Sequence, residues 1–503
     1  KPSEVCVLLD ISSKFTESTL DEIIRQAGGT KYTDFKFGKG FKKGDSYLSK
    51  VFRLCVYGIK EGNGSPLVVN LIVKAMPDNL ARRKLFRSRE FFRNEINFYK
   101  FVVPAWVKFQ AKRKPLKPFN EYPICYATLC DGENDFIALE DVSFAGYGSP
   151  NRQDYITLEE CLLTVRTLGR FHGISLALNA LEPDTFEEIS KHLEASETYY
   201  AEQNRSWYMD FLRLACNVAQ DAISKTYPDT KYRVFGHGDC WTPNFLTRYT
   251  KHGAPEGIKI IDFQLARCSS LALDISFFIY SCTSQQIREQ HYDDLLKEYH
   301  QAATSLINDL GADGDDVLPM KALLDELQRF ARFGCGMGIE SLPMSLIDDE
   351  EVADLDEIEE NMVLTDIWNI KPFANTEKRK RIADIFKHAI DQVLEFTVVF
   401  TRTSALVVSV QLSVHSFKML LTKMRFRTFQ GSRRTRSCPR LQSPVGMGQM
   451  APYLPQDKRQ SFVEEHSHFW LLEGLQLNRF SQRNGMRRYP YKPILSGSGE
   501  GYQ

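Results

Sequence analysis

Gly236-His237-Gly238-Asp239-Cys240-Trp241-Thr242-Pro243-Asn244-Phe245-Leu246, followed by Ile260-Ile261-Asp262-Phe263-Gln264, is the part of this chain whose reading decides its fold. Asp239 and Asn244 stand five positions apart in a short loop containing Gly and Pro. Asp262 follows 23 positions after Asp239, behind the apolar run Ile258-Lys259-Ile260-Ile261. The pattern is loop, strand, second acidic loop. Phosphoryl transfer needs a carboxylate that accepts the proton of the attacking hydroxyl, and hard oxygen ligands for magnesium. Asp239 and Asn244 make up the catalytic loop, with Asp239 as the base, and Asn244 and Asp262 supply the magnesium ligands. Taken singly, each residue reads as a turn cap, the ordinary use of loop Asp and Asn; the two segments at this separation outweigh that reading.

The pattern of His237, Gly238, Asp239, Trp241 and Asn244, with the triplet Asp262-Phe263-Gln264, resembles the insect ecdysteroid kinase-like family, relatives of choline kinases and aminoglycoside phosphotransferases. The resemblance runs from about Phe35 to about Val399, and its motifs are specific for the fold rather than for the substrate. It implies an α+β, two-lobed protein-kinase-like fold: an N-lobe of antiparallel sheet plus helix over 1–138, a hinge over 139–145, and a larger, mainly helical C-lobe over 146–400. It also implies ATP and Mg2+ as cofactors and a small hydroxylated acceptor, an ecdysteroid or another lipophilic alcohol.

Such a fold must supply a lysine for the nucleotide phosphates and a glutamate to orient it. In Leu67-Val68-Val69-Asn70-Leu71-Ile72-Val73-Lys74-Ala75, strand alternation puts Val69, Leu71, Val73 and Ala75 on one face and Lys74 on the other, with Asn70 and Ile72. Downstream, the segment from Arg89 to Lys100 reads as a helix, with Phe91, Glu95, Phe98, Tyr99 and Val102 at helical spacing, so Glu95 falls inside an apolar stripe. A buried carboxylate needs a partner, and Lys74 is the one that the fold suggests. The bland alternative leaves Glu95 at the edge of the stripe, in water.

Gly44-Asp45-Ser46-Tyr47-Leu48-Ser49-Lys50 resembles the family's phosphate-covering hairpin, where backbone N–H groups and the Ser46 and Ser49 hydroxyls would meet phosphate oxygens. With one glycine it equally describes an ordinary turn. Phe136-Ile137-Ala138-Leu139-Glu140-Asp141-Val142 is a strand leading into the link between lobes, where adenine would meet backbone groups near Glu140 and Val142. Leu158 to Leu178 has the spacing of a central helix, on which His172 is a core histidine. His237 braces the catalytic loop, Asp274 accepts backbone hydrogen bonds from it, and Arg267 pairs with a carboxylate or a phosphate. Gln264 in place of a kinase glycine, and the short run from there to Asp274, leave little room for a peptide-docking loop. The acceptor would lie beside Asp239, in walls drawn from Trp241, the region Phe333 to Leu346 and neighbouring helices; the glycines and methionines of Phe333–Met344 suit an apolar ring or a packed helix.

Lys+Arg and Asp+Glu are equal at 64 each, so no overall field points to nucleic acid. The 11 cysteines form no CxxC pair, which fits reduced thiols in a cytoplasmic protein. No apolar run reaches the roughly 20 residues of a membrane span. The chain begins at Lys1 rather than Met, so a preceding segment is compatible with it. Residues 415–503 carry 4 Lys and 11 Arg against 1 Asp and 4 Glu, a net +10 balanced by −10 elsewhere. Rich in Arg, Ser, Gln, Gly and Pro, this tail reads as a disordered basic arm, a small extra module or translated non-coding sequence, the last being preferred. The expected function is an ATP- and magnesium-dependent kinase for a small-molecule hydroxyl. The alternatives are a choline- or aminoglycoside-type kinase, or a non-catalytic binding protein that kept the fold.

Overall fold

The structure is a computed structural model that describes residues 7–39, 49–193, 230–348, 355–360, 362 and 375–391, together with two short strands at 397–402 and 406–411. The chain divides into two units, Lys1–Phe426 and Arg427–Gln503. The second unit, and with it the basic stretch 415–503, lies outside the described residues.

The first five strands make one antiparallel sheet. They are β1 (Gly29–Phe37), β2 (Lys50–Lys60), β3 (Pro66–Ala75), β4 (Cys125–Leu129) and β5 (Phe136–Glu140), in the order β1-β2-β3-β5-β4. Val69, Leu71, Val73 and Ala75 of β3 are buried on one face, in a core shared with α2 (Glu17–Gln26), which follows a short α1 (Leu8–Ile11). Register then fixes the other face: Val51 lies opposite Lys74, Arg53 opposite Ile72, and Ile72 opposite Leu139. Those side chains line the underside of the sheet, which faces the rest of the molecule.

Between β3 and β4 run α3 (Leu80–Leu85), α4 (Ser88–Asn97) and α5 (Val103–Arg113), with α4 and α5 joined by a π-turn at Phe98–Val102. The buried residues here are Phe92, Asn94, Glu95, Ile96, Phe98, Tyr99 and Val102. Phe91, expected in the apolar stripe, is only half-buried. Buried positions on more than one side of α4, Phe92, Asn94, Glu95 and Ile96, show that the helix is covered beyond a single stripe.

The remaining elements are mainly helical: α6 (Leu158–Leu181), α7 (Pro183–Ser190), α8 (Ala272–Cys282), α9 (Gln285–Asp309), α10 (Gly314–Val317), α11 (Met320–Phe330), α12 (Arg332–Leu346) and α13 (Thr376–Asp391). A capping box starts α6, where Thr157 Oγ1 accepts from the Glu160 N–H at 3.2 Å and Glu160 Oε2 accepts from the Thr157 N–H at 2.6 Å. Against α6 lies α9, so close that a Cβ on Gly169 would stand 2.3 Å from the Tyr299 carbonyl. Any side chain there would push the two helices apart. His172 of α6 is fully buried, bonded to the Tyr299 hydroxyl at 2.7 Å and to Asp274 at 3.1 Å. Among the described residues no helix is long and apolar enough to cross a membrane.

The chain is thus an antiparallel sheet with its helices, joined at Glu140–Ala145 to a larger helical body: the two-lobed α+β, protein-kinase-like fold.

Candidate active site

Four short strands inside the helical part gather the two motif loops: β6 (Arg233–Gly236), β7 (Phe245–Tyr249), β8 (Pro255–Ile260) and β9 (Arg267–Ser270). β7 pairs with β8, with Phe245 opposite Ile260. β6 pairs with β9, with Gly236 opposite Arg267. Asn244 ends the loop just before one pair and Asp262 follows it, and the Ile261 N–H donates to the Asn244 carbonyl at 3.0 Å. The separation in sequence is therefore the length of a hairpin that folds the two loops side by side.

The Asp239 loop is held from beneath. Asp274, at the start of α8, accepts from the His237 N–H at 2.5 Å and from the Gly238 N–H at 2.9 Å. Burial alone would raise the Asp274 carboxyl, but the His172 hydrogen bond, both nearby imidazoles and the Gly238 amide draw it down to about 2. His237 Nδ1 accepts from the Asp239 N–H at 3.1 Å, which leaves Nε2 to donate to the Ile261 carbonyl at 2.8 Å. That ring is fully buried, and burial lowers its pKa, so it braces both loops as a neutral imidazole.

Gly238 sits at φ +82°, and a Cβ there would stand 2.1 Å from the Leu265 carbonyl oxygen. Gly238→Ala is expected to cost about 1–2 kcal/mol for the left-handed backbone alone, and more for the overlap with a backbone atom that cannot rotate away. Urea denaturation of the variant checks this; an unchanged midpoint would mean that the loop adjusts freely.

Lys74 reaches down from β3 to bridge two carboxylates. Its Nζ lies 2.9 and 3.0 Å from the Glu95 oxygens and 2.6 Å from Asp262 Oδ1. Burial by itself would lower the ammonium, and the charges of Asp262 and Glu95 instead hold it well above the usual lysine range. Glu95 is buried, and desolvation pushes its carboxyl upward against the pull of Lys74. Asp262 has φ 70° and ψ 61°, a left-handed conformation that costs a non-glycine residue of order 1–3 kcal/mol unless the surroundings impose it.

Asn244 is buried, and its Nδ2 donates to the Asp239 carbonyl at 2.9 Å and to Asp239 Oδ2 at 3.1 Å. Both partners are acceptors, so the amide must present its NH2 there, which leaves its oxygen for another donor or for a cation. Burial and the charge of Asp262 push the Asp239 carboxyl up to about 7, against the side chains of Asn244 and Gln264 and the guanidinium of Arg267. Arg267 is buried, donates from Nη2 to the Gly238 carbonyl at 3.1 Å, and lies over the Phe333 ring at 5.3 Å.

Two cations, Lys74 and Arg267, thus face four carboxylates, Glu95, Asp239, Asp262 and Asp274, which leaves a formal deficit of two positive charges. That deficit, the free Asn244 oxygen and the second Asp262 oxygen fit one divalent cation. Among the described residues no three His, Cys, Asp or Glu side chains form a metal cage. A pair of protein oxygens suits magnesium, which keeps waters and phosphate oxygens in its shell.

Lys74, Glu95, Asp239, Asn244 and Asp262 therefore meet in one place. Ser46 lies outside the described residues, while Ser49 is buried directly before β2 and its carbonyl accepts from Arg82 at 3.5 Å. The Glu140 side chain accepts from the Ile124 N–H at 3.2 Å, and its own N–H donates to the Ile124 carbonyl at 2.8 Å. Its N–H and its side chain are thus both engaged with Ile124. Val142 is buried and opens a 3-10 turn (Val142–Ala145), so its N–H belongs to the unpaired first turn. The Trp241 indole packs against the large core. The segment Phe333–Met344 lies within α12 and is packed on α8, with the Gly334 position against the Ser276 backbone.

Sequence reasoning missed Asn94. Its Nδ2 donates to the carbonyls of Gln264 at 3.0 Å and Ala266 at 2.7 Å, immediately behind Asp262. The only signal in the sequence is a polar residue next to Glu95, which any helix surface also shows.

A sheet-borne lysine paired with a helix glutamate, above a loop carrying aspartate and asparagine and a second acidic loop, defines the class: a kinase-like fold with its ionic site assembled. The chain belongs to the ecdysteroid kinase-like family, whose profile matches residues 43–231 and 225–312. Among solved structures it is similar to a spectinomycin phosphotransferase in complex with ADP and spectinomycin, at 12% identity and a TM-score of 0.34, covering 72% of this chain and 94% of that one. It is also similar to a microcompartment-associated aminopropanol kinase, at 12% identity and a TM-score of 0.30, covering 71% and 91%. Likeness at that level says nothing of substrate. No curated protein matches the chain.

Proposed function

We propose that this protein is an ATP- and magnesium-dependent kinase that phosphorylates a hydroxyl group of an ecdysteroid or another hydroxylated lipophilic compound. The observation that carries the reading is the convergence of Lys74, Glu95, Asp239, Asn244 and Asp262 around a site short of two positive charges. A non-catalytic binding protein has no need of that arrangement, which is costly to bury. Family membership supports the acceptor class.

Asp239 takes the proton of the acceptor hydroxyl as the bond to phosphorus forms. A carboxyl near 7 is a base matched to neutral pH. Asn244 aligns that carboxylate through Nδ2 and offers its oxygen, with Asp262, as the ligand pair for magnesium. Lys74, held by Glu95, binds the α- and β-phosphates. The Glu140 carbonyl and the Val142 N–H take the adenine edge, and the Ser46 and Ser49 region covers the phosphates. When bound, magnesium-ATP supplies the phosphoryl group and spreads the charge that builds on its oxygens.

The test is mass-spectrometric detection of an added phosphate on a panel of ecdysteroids, other sterols, choline and aminoglycosides incubated with magnesium-ATP. A product of the ecdysteroid class is the expected result. A product on choline or an aminoglycoside alone would move the protein to the corresponding kinase type. Thermal stabilisation by ATP that is equal with and without magnesium would overturn the metal assignment, because a ligand bound only by the folded state raises its apparent stability.

A further inference from the structure

We infer that Asn94 is a positioning residue for phosphoryl transfer: it fastens the helix that carries Glu95 to the loop that carries Asp262, so that the two move as one body. The inference rests on the proposed kinase function for its role in the reaction, while the fastening itself is a property of the fold.

Asp262 holds a left-handed backbone that is not its own preference, and such a conformation persists only where the surroundings over-determine it. Three contacts contribute, two made by side chains of the helix and its π-turn and the third relayed from the helix through Lys74 of β3. Asn94 gives both hydrogens of its carboxamide to the Gln264 and Ala266 carbonyls, at 3.0 and 2.7 Å. These carbonyls stand at the end of the 3-10 turn Phe263–Leu265, where a helix leaves its acceptors without internal partners. Phe98, first residue of the π-turn, stacks on Phe263 with centroids 3.9 Å apart and planes at 7°. Lys74 closes the third contact by bridging Glu95 and Asp262.

Residues 94, 95 and 98 thus all address residues 262–266. The sequence has an amide at position 94 because two carbonyls face it. Leucine would leave both acceptors buried without a donor, and aspartate would set a carboxylate against two oxygens. In kinase-like folds where the corresponding helix swings, the lysine–glutamate pair breaks and reforms. Here the asparagine joins that helix directly to the magnesium loop, so the site stays assembled and turnover is not gated by helix motion.

Hydrogen exchange on the full chain tests this without reference to activity. In the unmodified protein, the amides of 263–267 should exchange with those of 92–98 as one cooperative unit. Independent, faster opening of the loop would overturn the inference. In Asn94→Leu, exchange over 262–267 should rise about tenfold or more while α6 and α9 keep their protection. The same variant should lose kcat by about tenfold with a smaller change in the KM for ATP, and should need more magnesium for half-maximal nucleotide-induced stabilisation. Asn94→Gln, which keeps the NH2, should recover part of both losses.

Should Asn94→Leu not fold, the exchange pattern of the unmodified protein still decides. A loosened loop with unchanged kcat would leave a structural tie and remove the role in the reaction. Absence of turnover in the unmodified protein would count against the kinase assignment, and the exchange pattern would still decide the fastening.

Discussion

Asp239→Asn is expected to lower kcat by about 10²–10⁴-fold, the usual worth of a positioned general base, while leaving ATP binding close to normal and making the folded protein more stable. Loss of activity follows from removing the group that accepts the hydroxyl proton. The gain in stability follows from the site's electrostatics. Burial and Asp262 raise the Asp239 carboxyl from 3.8 to about 7. The unfolded chain ionises it above 3.8, and the folded protein must then hold the same charge in a place that disfavours it. The penalty is absent below about pH 4, grows as pH rises, and is complete above about 7. Asparagine carries no charge and keeps an oxygen for Asn244 Nδ2, so urea denaturation should show the variant equal to the parent near pH 4 and more stable, by up to a few kcal/mol, above pH 7. A variant that is inactive and also less stable at pH 8 would point to a structural role; one with normal turnover would remove Asp239 from the mechanism.

This pairing of lost activity and gained stability separates a functional carboxylate from a structural one. A structural acid is placed where its charge is welcome. A catalytic one is held where its charge is unwelcome until substrate and cation arrive. Asp239 and Asp274 are of these two kinds, and their shifts, to about 7 and about 2, lie on opposite sides of the ordinary value.

Much of the arrangement was legible from local rules. Alternation in β3 put Lys74 opposite its core-facing neighbours, because one apolar face of a strand fixes the other. The carboxylate of Glu95, inside an apolar stripe, required a cation within reach. Loop, strand, loop spacing announced that Asp239, Asn244 and Asp262 would be neighbours, since a hairpin is the short way to join two loops. The hidden features depend on pairings distant in sequence. Asn94 meets Gln264 across 170 positions, and nothing local distinguishes it from a surface asparagine. The burial of Phe92 beside Glu95 shows contacts on more than one side of the helix, which no single apolar stripe announces. The glycines of α12 could be read as pocket or packing; closeness of the Gly334 position to the Ser276 backbone gives the second meaning. Histidines illustrate the same division. His172 sat on an apolar helix face and is a core histidine, whereas the partners of His237, the Asp239 N–H and the Ile261 carbonyl, come from both motif loops and could not be named before the hairpin closed.

The largest loss of stability should come from Asp274→Ala, at about 3–5 kcal/mol in urea denaturation at pH 7, the range for breaking a buried ionic network from one side. Asp274 is buried and accepts from the His237 N–H, the Gly238 N–H and His172. Alanine would leave these buried donors without the carboxylate that accepts from all of them. Asp274→Asn should recover little, because its NH2 would confront a donor where the carboxylate offered a second oxygen. The acid behaviour gives an independent check. With the folded carboxyl at about 2 against 3.8, its contribution is fully present above 3.8 and is lost as pH falls through about 2. The parent should therefore shed about 2 kcal/mol across that window, and the alanine variant should not. A variant within about 1 kcal/mol of the parent, beyond the error of linear extrapolation, would mean that the loop amides find other acceptors. In that case the Asp239 loop would not depend on Asp274 for its shape, and its geometry would have to come from Gly238, His237 and the hydrogen bonds that Arg267 and Asn244 give to its carbonyls.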